Sequence, residues 1–467
     1  LNASVDKYLD DVCREIRYRK AHAAIRQEIA GHIADLQEDY LAEGKTREEA
    51  SRLAIAAMGD PQEIGQKLHL SHRPKTEWSI LFLLLCLVST GIFALARYQS
   101  ISGNNIIGNL ALKQAFAILV GGCLAALFYF SDYRKLVKRA FLLYLSATFL
   151  LLIAFAFASR GKWFAFQAFS VDVTAIAFFL YLIAFPGLVL KWGLQNPAIS
   201  LGTGNLWASI RTPFENKYVR FLLLYFLAVF ASCLLAFSSL INGLLMGLSC
   251  LIILIAALRN PAYDKERPLC FRFLYGGTAG ILLFSTFFLL ANGYWWQRLT
   301  AFFDPFTDPA GAGYVGVQIH HILAQAKAFG SIAEDALFLT TDNGVVHYLL
   351  PNAGTDLIFT YIIAVFGWLF AIGLAVAIGL LLWRMTRACR RLYEDYAKLL
   401  AAGVCTFFAL QFVLSLLMNV GLWPVTGLAF PFLSYGGSMM VTDLAFLGLF
   451  LGVYRQKDLI AVIPAIS

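Results

Sequence analysis

WSILFLLLCLVSTGIFALA, from Trp78 to Ala96, runs nineteen residues without a charge or a proline between Glu77 and Arg97. As an α-helix it would be roughly 28 Å long, close to the ~30 Å hydrocarbon thickness of a bilayer. With no polar face to turn to water, it reads as a membrane span. Nine further runs of spanning length begin near Leu112, Ala140, Val171, Val219, Ile241, Phe273, Leu357, Lys398 and Gly436. The expected fold class is therefore all-α: a polytopic membrane protein with about ten transmembrane helices and a small soluble helical bundle ahead of them.

The composition agrees, with 59% hydrophobic and 14% charged residues and a mean hydropathy of +0.68, more apolar surface than a soluble chain can hide. The net charge of +8 does not indicate a nucleic-acid partner, because the basic residues sit in short clusters between apolar runs instead of one interleaved patch. Cys86, Cys123, Cys233, Cys250 and Cys405 lie inside apolar runs, and Cys13, Cys270 and Cys389 fall in segments placed on the cytoplasmic side. No disulfide framework or CxxC metal site follows.

The basic clusters set the orientation. Arg134, Lys135, Lys138 and Arg139 follow the second expected span, Arg259, Lys265, Arg267 and Arg272 the sixth, and Arg384, Arg387, Arg390, Arg391 and Lys398 the eighth. Segments after the odd-numbered spans are poor in Lys and Arg, so the positive-inside rule puts both termini in the cytoplasm of a multi-pass cell-membrane protein. The first seventy or so residues are polar and helix-patterned, without the early apolar stretch of a signal peptide.

Within residues 1–73, Ile25, Ile29, Ile33 and Leu36 recur at helical spacing. Gly59, Asp60 and Pro61 supply a C-cap, an N-cap and a first helical position in succession. His22 and His32 read as surface or boundary residues of this bundle. The stretch HAAIRQEIAGHIADLQEDYLAEGKTREEASRLAIAAMGDPQEIGQKL, from His22 to Leu68, resembles the permease-prefix domain found ahead of some bacterial membrane proteins, which implies a cytoplasmic module with no chemistry of its own. A linker around Arg73 and Pro74 then leads into the membrane domain, residues 74–467.

One external connection, residues 292–356, contains no run long enough to span, yet it holds Trp295, Trp296, Phe302, Phe303, Phe306 and Tyr314. Loops of that length are usually functional or disordered, and this much apolar surface argues for packing on the membrane domain or lying in the interface. Within it, DPFTDP offers two acids, Asp304 and Asp308. An Asp-Pro pair is also a common turn starter. His320 and His321 are adjacent, so on a helix they point about 100° apart and do not make a metal pair.

The stretch MNVGLWPVTGLAFPFLSYGGS, Met418 to Ser438, strongly resembles the signature of the SEDS family, the shape, elongation, division and sporulation proteins of the FtsW, RodA and SpoVE type. Arg298 followed by FFDPFTDPAGAGY, then PNAGTDLIF from Pro351, and LKQ at Leu112 support it in family order. The resemblance implies a peptidoglycan glycosyltransferase that polymerises lipid II, the undecaprenyl-pyrophosphate-linked precursor, at the outer face of the membrane, with a class B penicillin-binding protein as transpeptidase partner. Such a step needs a base for the sugar hydroxyl and positive charge, or a divalent cation such as magnesium or manganese, for the leaving pyrophosphate.

Family position favours Asp308 as the base and gives Arg298 to the pyrophosphate. Arg298 as an interfacial anchor is the plainer alternative. Asp356 could bind a cation or headgroup at the start of the eighth span, or cap it. Lys113 and Gln114 are placed to contact a lipid phosphate, although a snorkelling lysine also explains the first. Ser434, Tyr435, Gly436 and Gly437 open the last span, where the glycines permit close approach of a ligand or of another helix.

The chain also departs from the family pattern. Gly354, Thr355, Asp356 and Leu357 stand for His-Thr-Asp-Phe, and Ala364 and Val365 for two glutamates. Phe169, Ser170, Val171 and Asp172 replace Gln-Pro-Ser-Glu, Ala175 a lysine, and Ile241, Asn242 and Gly243 a Gln-Pro-Asp turn. These losses favour two rival readings, a non-catalytic lipid II binding or transport protein and a cell-division scaffold of the same fold, while the retained Asp308 favours the enzyme.

Overall fold

The computed structural model describes residues 2–16, 22–71, 76–102, 110–156, 163–166, 169–193, 240–259, 293–333, 337–340, 346–348 and 350–457, with isolated positions between 260 and 292. The span expected near Val219, most of the one near Phe273 and the Arg73–Pro74 linker lie outside the described residues. The chain divides into two compact units, Leu1–Glu77 with Arg391–Glu394 and Val453–Ser467, and Trp78–Arg390 with Asp395–Gly452.

In the first unit, α1 (Asn2–Glu15), α2 (His22–Ala42), α3 (Arg47–Met58) and α4 (Pro61–Ser71) enclose a core of Val12, Ile16, Ile25, Ile29, Ile33 and Ala54. Helix α3 starts on a capping box, in which Thr46 accepts from the Glu49 amide while the Glu49 carboxylate accepts from Thr46. It ends at Gly59, and Asp60 Oδ2 accepts from the Glu63 amide at 3.3 Å to start α4. His22 Nε2 donates to the Ile16 carbonyl at 2.7 Å, and His32 is exposed. In the same unit Tyr454 donates to the Glu77 carboxylate at 2.5 Å, and Arg391 lies 3.6 Å from it.

The second unit contains α5 (Trp78–Ser102), α6 (Leu110–Phe130), the short α7 (Arg134–Lys138), α8 (Ala140–Ala156), α9 (Val173–Gly193), α10 (Leu240–Leu258), α11 (Gly293–Phe303), α12 (Tyr314–Gln325), α13 (Ile358–Phe366), α14 (Trp368–Cys389), α15 (Asp395–Asn419) and α16 (Gly437–Arg455) as far as Gly452. Two antiparallel hairpins interrupt the helices, β1 (Trp163–Phe166) with β2 (Phe169–Asp172) and β3 (Phe338–Thr340) with β4 (Val346–Tyr348). Among the described residues six helices are long and apolar enough to cross a membrane, and two apolar helices, Ala140–Ile153 and Gly243–Leu258, are shorter.

Burial sorts these helices. The spanning windows of α9 and α16 are 83% and 78% buried, against 22% for α6 and 28% for α14, so the first pair is central and the second faces lipid. Lipid tails are as apolar as leucine, so close packing holds such helices together instead of a hydrophobic drive. Gly448 and Gly452 of α16 accordingly sit against the Ala125 and Phe128 backbone of α6, and Phe408, Phe412, Phe430, Phe432 and Phe446 form a connected ring cluster.

The eighth span begins at Trp368, eleven residues beyond the expected Leu357. The apolar run that starts at Leu357 is broken by Gly367, whose φ of 86° ends α13 after nine residues. Strand-like bonds from residues 327–332 fill the break, with Trp368 donating to Lys327, Leu369 to Ala328, and Ile332 to Ala364. A side chain at 367 would strike the Ala328 carbonyl at 2.6 Å, so both its conformation and its surroundings demand glycine.

Candidate functional site

Between the spans α15 and α16 the chain is mostly non-helical. Buried backbone outside regular helices is stable only where its polar groups find partners, and buried side chains supply them here. Gln411 Nε2 and Ser415 Oγ donate to the Ala429 carbonyl at 3.3 and 3.4 Å, and Gln114 Nε2 donates to that of Ser434 at 3.0 Å. The Ser434 hydroxyl donates to the Phe430 carbonyl at 2.9 Å, and the Tyr435 amide donates to Gly354 at 2.9 Å. Among the described residues only two non-glycines have positive φ, Asn352 at 56° and Phe432 at 61°. They lie on the two segments that the Tyr435–Gly354 bond joins. Strained backbone of this kind concentrates at functional sites.

Asn419, the last residue of α15, is fully buried and uses its whole amide. Its Oδ1 accepts from the Thr360 amide at 2.9 Å and hydroxyl at 3.1 Å, and its Nδ2 donates to the carbonyls of Asp356 at 2.9 Å and Ser415 at 2.8 Å. It thereby pins the Asp356 turn against the signature segment. The Asp356 carboxylate comes within 3.6 Å of where a side chain at Gly427 would begin, and burial pushes its pKa up to about 6. Leu357 holds the N-cap position of α13, with no side-chain cap bond.

From the connection over residues 292–356, Arg298 of α11 donates to the Val425 carbonyl at 3.2 Å. The His320 ring of α12 would lie 3.3 Å from a side chain at Gly421 and 6.4 Å, centre to centre, from the Phe306 ring. The two acids of DPFTDP differ. Asp304 is the N-cap of the 3₁₀ turn Pro305–Thr307, accepting from the Phe306 amide at 3.2 Å. Asp308 is exposed, and its Oδ2 accepts from the Ala312 amide at 2.9 Å. Gly311 packs on the Asp308 carboxylate and Gly313 on the Pro305 carbonyl, so the spacing of PAGAGY folds the backbone around that acid.

Arg298, Gln114 and Asp356 thus converge on residues 425–435, which include Ser434 and Tyr435, whereas the bonds of Asp308 stay within its own loop. Gln114 and Ser434 are buried at 1% and 4% exposure and engaged with the backbone, while Lys113, Tyr435, Gly436 and Gly437 are half-buried. A side chain at Gly436 would meet only ordinary contacts, so close helix approach falls to Gly448 and Gly452. Asp172 caps α9, its Oδ1 accepting from the Thr174 amide at 2.9 Å and hydroxyl at 2.6 Å, while its own amide donates to the Ser438 hydroxyl oxygen at 2.8 Å. No group of three or more His, Cys, Asp or Glu residues suited to a metal occurs among the described residues. Sequence reading missed Asn419, Thr360, Gln411 and Ser415, although polar groups within or beside apolar runs were the available signal.

The raised pKa of Asp356 has a definite sign. Between the ordinary carboxylate value of about 4 and about 6 the folded chain holds the proton and the unfolded chain does not, so stability falls as pH rises through that window. Above it the ionised form costs about 2–3 kcal/mol. Asp356→Asn should therefore raise the unfolding midpoint in detergent at pH 8 and flatten the profile between about pH 4 and 6. A variant with the parental pH profile would show that Asp356 does not carry it.

Among known proteins, the chain is 32% identical over 165 residues to the probable peptidoglycan glycosyltransferase FtsW of Thioalkalivibrio sp. (strain K90mix), covering 35% of this chain and 40% of that one. That match spans less than half the relative's length. The probable peptidoglycan glycosyltransferase FtsW of Geobacter metallireducens is 25% identical over 399 residues, 83% of this chain and 96% of that one. A chain from a solved peptidoglycan synthase complex superimposes with a TM-score of 0.58 at 23% identity, covering 82% of this chain and 98% of that one, a likeness of fold. Residues 77–459 match the FtsW/RodA/SpoVE family of cell cycle proteins, and the chain belongs to that family.

Proposed function

We propose that this chain is a peptidoglycan glycosyltransferase that polymerises lipid II into glycan strands. The observation that carries the reading is the convergence of Arg298 and Asp356 on the strained signature segment, whose Tyr435 amide donates to Gly354, beside the loop that presents Asp308. In the reaction a sugar hydroxyl of one lipid II attacks the anomeric carbon of another, a glycosidic C–O bond forms, and the bond to the pyrophosphate breaks. Asp308 takes the hydroxyl proton, and undecaprenyl pyrophosphate leaves with its charge offset by Arg298, aided by Lys113. With no protein-held metal cluster among the described residues, a magnesium or manganese ion would take most of its oxygen ligands from the pyrophosphate and at most one or two from carboxylates, the usual habit of magnesium. A class B penicillin-binding protein is the proposed partner for cross-linking. Residues 1–73 serve as the cytoplasmic prefix module.

Purified chain, alone and with its transpeptidase, should convert lipid II into glycan polymer. Binding without polymer under both conditions would instead favour the non-catalytic rival, which α13 supports, since Ala364 and Val365 are buried there at the two positions where the family resemblance implies glutamates. The orientation has a separate test. A cysteine replacing Ala310 should react with a membrane-impermeant thiol reagent in intact cells while Cys389 does not, and the reverse pattern would invert the topology and remove the proposed outer-face chemistry.

A further inference from the structure

The lipid-facing side of α14 carries Leu369, Ile372, Val376, Leu380 and Trp383, each between 45% and 56% exposed. Their spacing of three or four residues makes one stripe, and the same stripe continues into Arg387 and Arg390. From Leu369 the helix rises roughly 21 Å to Trp383 and roughly 27 Å to Arg387, so the guanidiniums emerge where a ~30 Å hydrocarbon layer ends. Arg384 and Arg387 lie 5.2 and 5.6 Å from the Trp383 ring centre, within cation–π range.

The nearby charges are otherwise engaged. Asp395 pairs with Lys398 at 3.9 Å, and Arg391 with Glu77 at 3.6 Å. Arg384, Arg387 and Arg390 are exposed and have no carboxylate partner among the described residues. The helix C-terminus contributes about half a negative charge, which the three guanidiniums outweigh. A planar aromatic at the headgroup level flanked by unpaired, fork-shaped cations suits a phosphate whose acyl chains run along the stripe.

We propose that Trp383, Arg384, Arg387 and Arg390 bind the phosphate of an anionic glycerophospholipid at the end of α14. The test titrates purified full-length chain in neutral detergent with phosphatidylglycerol or phosphatidylcholine of identical acyl chains, reading bound lipid by native mass spectrometry. Phosphatidylglycerol should bind in preference, and R384Q/R387Q should weaken it by about thirtyfold, since each surface cation near anionic lipid contributes about fivefold. Trp383→Ala should weaken it while leaving every charge in place, and R14Q, on the exposed surface of the first unit, should leave binding unchanged. Parental affinity in R384Q/R387Q, an equal loss in R14Q, or complete displacement of phosphatidylglycerol by millimolar inorganic phosphate would each overturn the proposal.

Discussion

Asp308→Asn should reduce polymerisation of lipid II by about two to four orders of magnitude, the range that a positioned general base contributes, without unfolding the 292–356 loop. The loop tolerates the change because an asparagine oxygen can still accept the Ala312 amide hydrogen bond that Oδ2 accepts at 2.9 Å, and because the size is preserved against Gly311. The substitution removes only the carboxylate's basicity. Asp304→Asn is the matched control: its oxygen continues to cap the Pro305–Thr307 turn, and activity should stay within a few-fold of the parent. Polymer yield from purified protein, with lipid II binding measured in parallel, separates the cases. Parental turnover in Asp308→Asn would remove it as the base, and equal loss in both variants would assign the effect to the turn.

The spans of this protein were legible because the bilayer imposes a length and a composition that few other structures share. Their boundaries were less so. Ile358–Phe366 is as apolar as any span, and its separation from Trp368–Cys389 depends on a positive φ at Gly367 and on bonds from residues 327–332. Hydropathy carries neither fact. Gln114 illustrates a second limit. In a helix apolar on nearly every side, periodicity does not say which face turns inward, and its partner Ser434 lies 320 residues away in sequence. Asp308 and Arg298 were singled out by resemblance, but their environments were not legible: one is folded into its own turn and the other reaches across to Val425. The buried polar set around residues 425–435 is where sequence pattern was weakest, because single polar residues at the ends of apolar runs also read as ordinary caps.

Asn419→Leu should destabilise the protein by about 3 kcal/mol or more, since each buried polar group left without its partner costs about 1–3 kcal/mol. Leucine keeps asparagine's branched shape and leaves no cavity, but it is larger, so overpacking at this buried site adds to the lost hydrogen bonds. The change strands the Thr360 amide and leaves the Asp356 carbonyl without its 2.9 Å donor, while the Thr360 hydroxyl keeps its 2.7 Å bond to the Asn419 carbonyl. Thr360→Val removes only that hydroxyl and should cost about 1 kcal/mol, the net value of a typical hydrogen bond. The two substitutions also differ in reach. Loss of the Asn419 amide frees the Asp356 turn, and through the Gly354–Tyr435 bond it loosens the strained segment on which Arg298 rests, so glycan synthesis should collapse even at temperatures where the fold survives. Thr360→Val leaves that linkage intact and should retain activity. Unfolding midpoints in detergent and polymer yield below the lower midpoint test both halves. A leucine variant with the parental midpoint would show that water replaces the lost partners, and one that is destabilised but fully active would show that the Asp356 turn does not need to be held against the signature segment for chemistry.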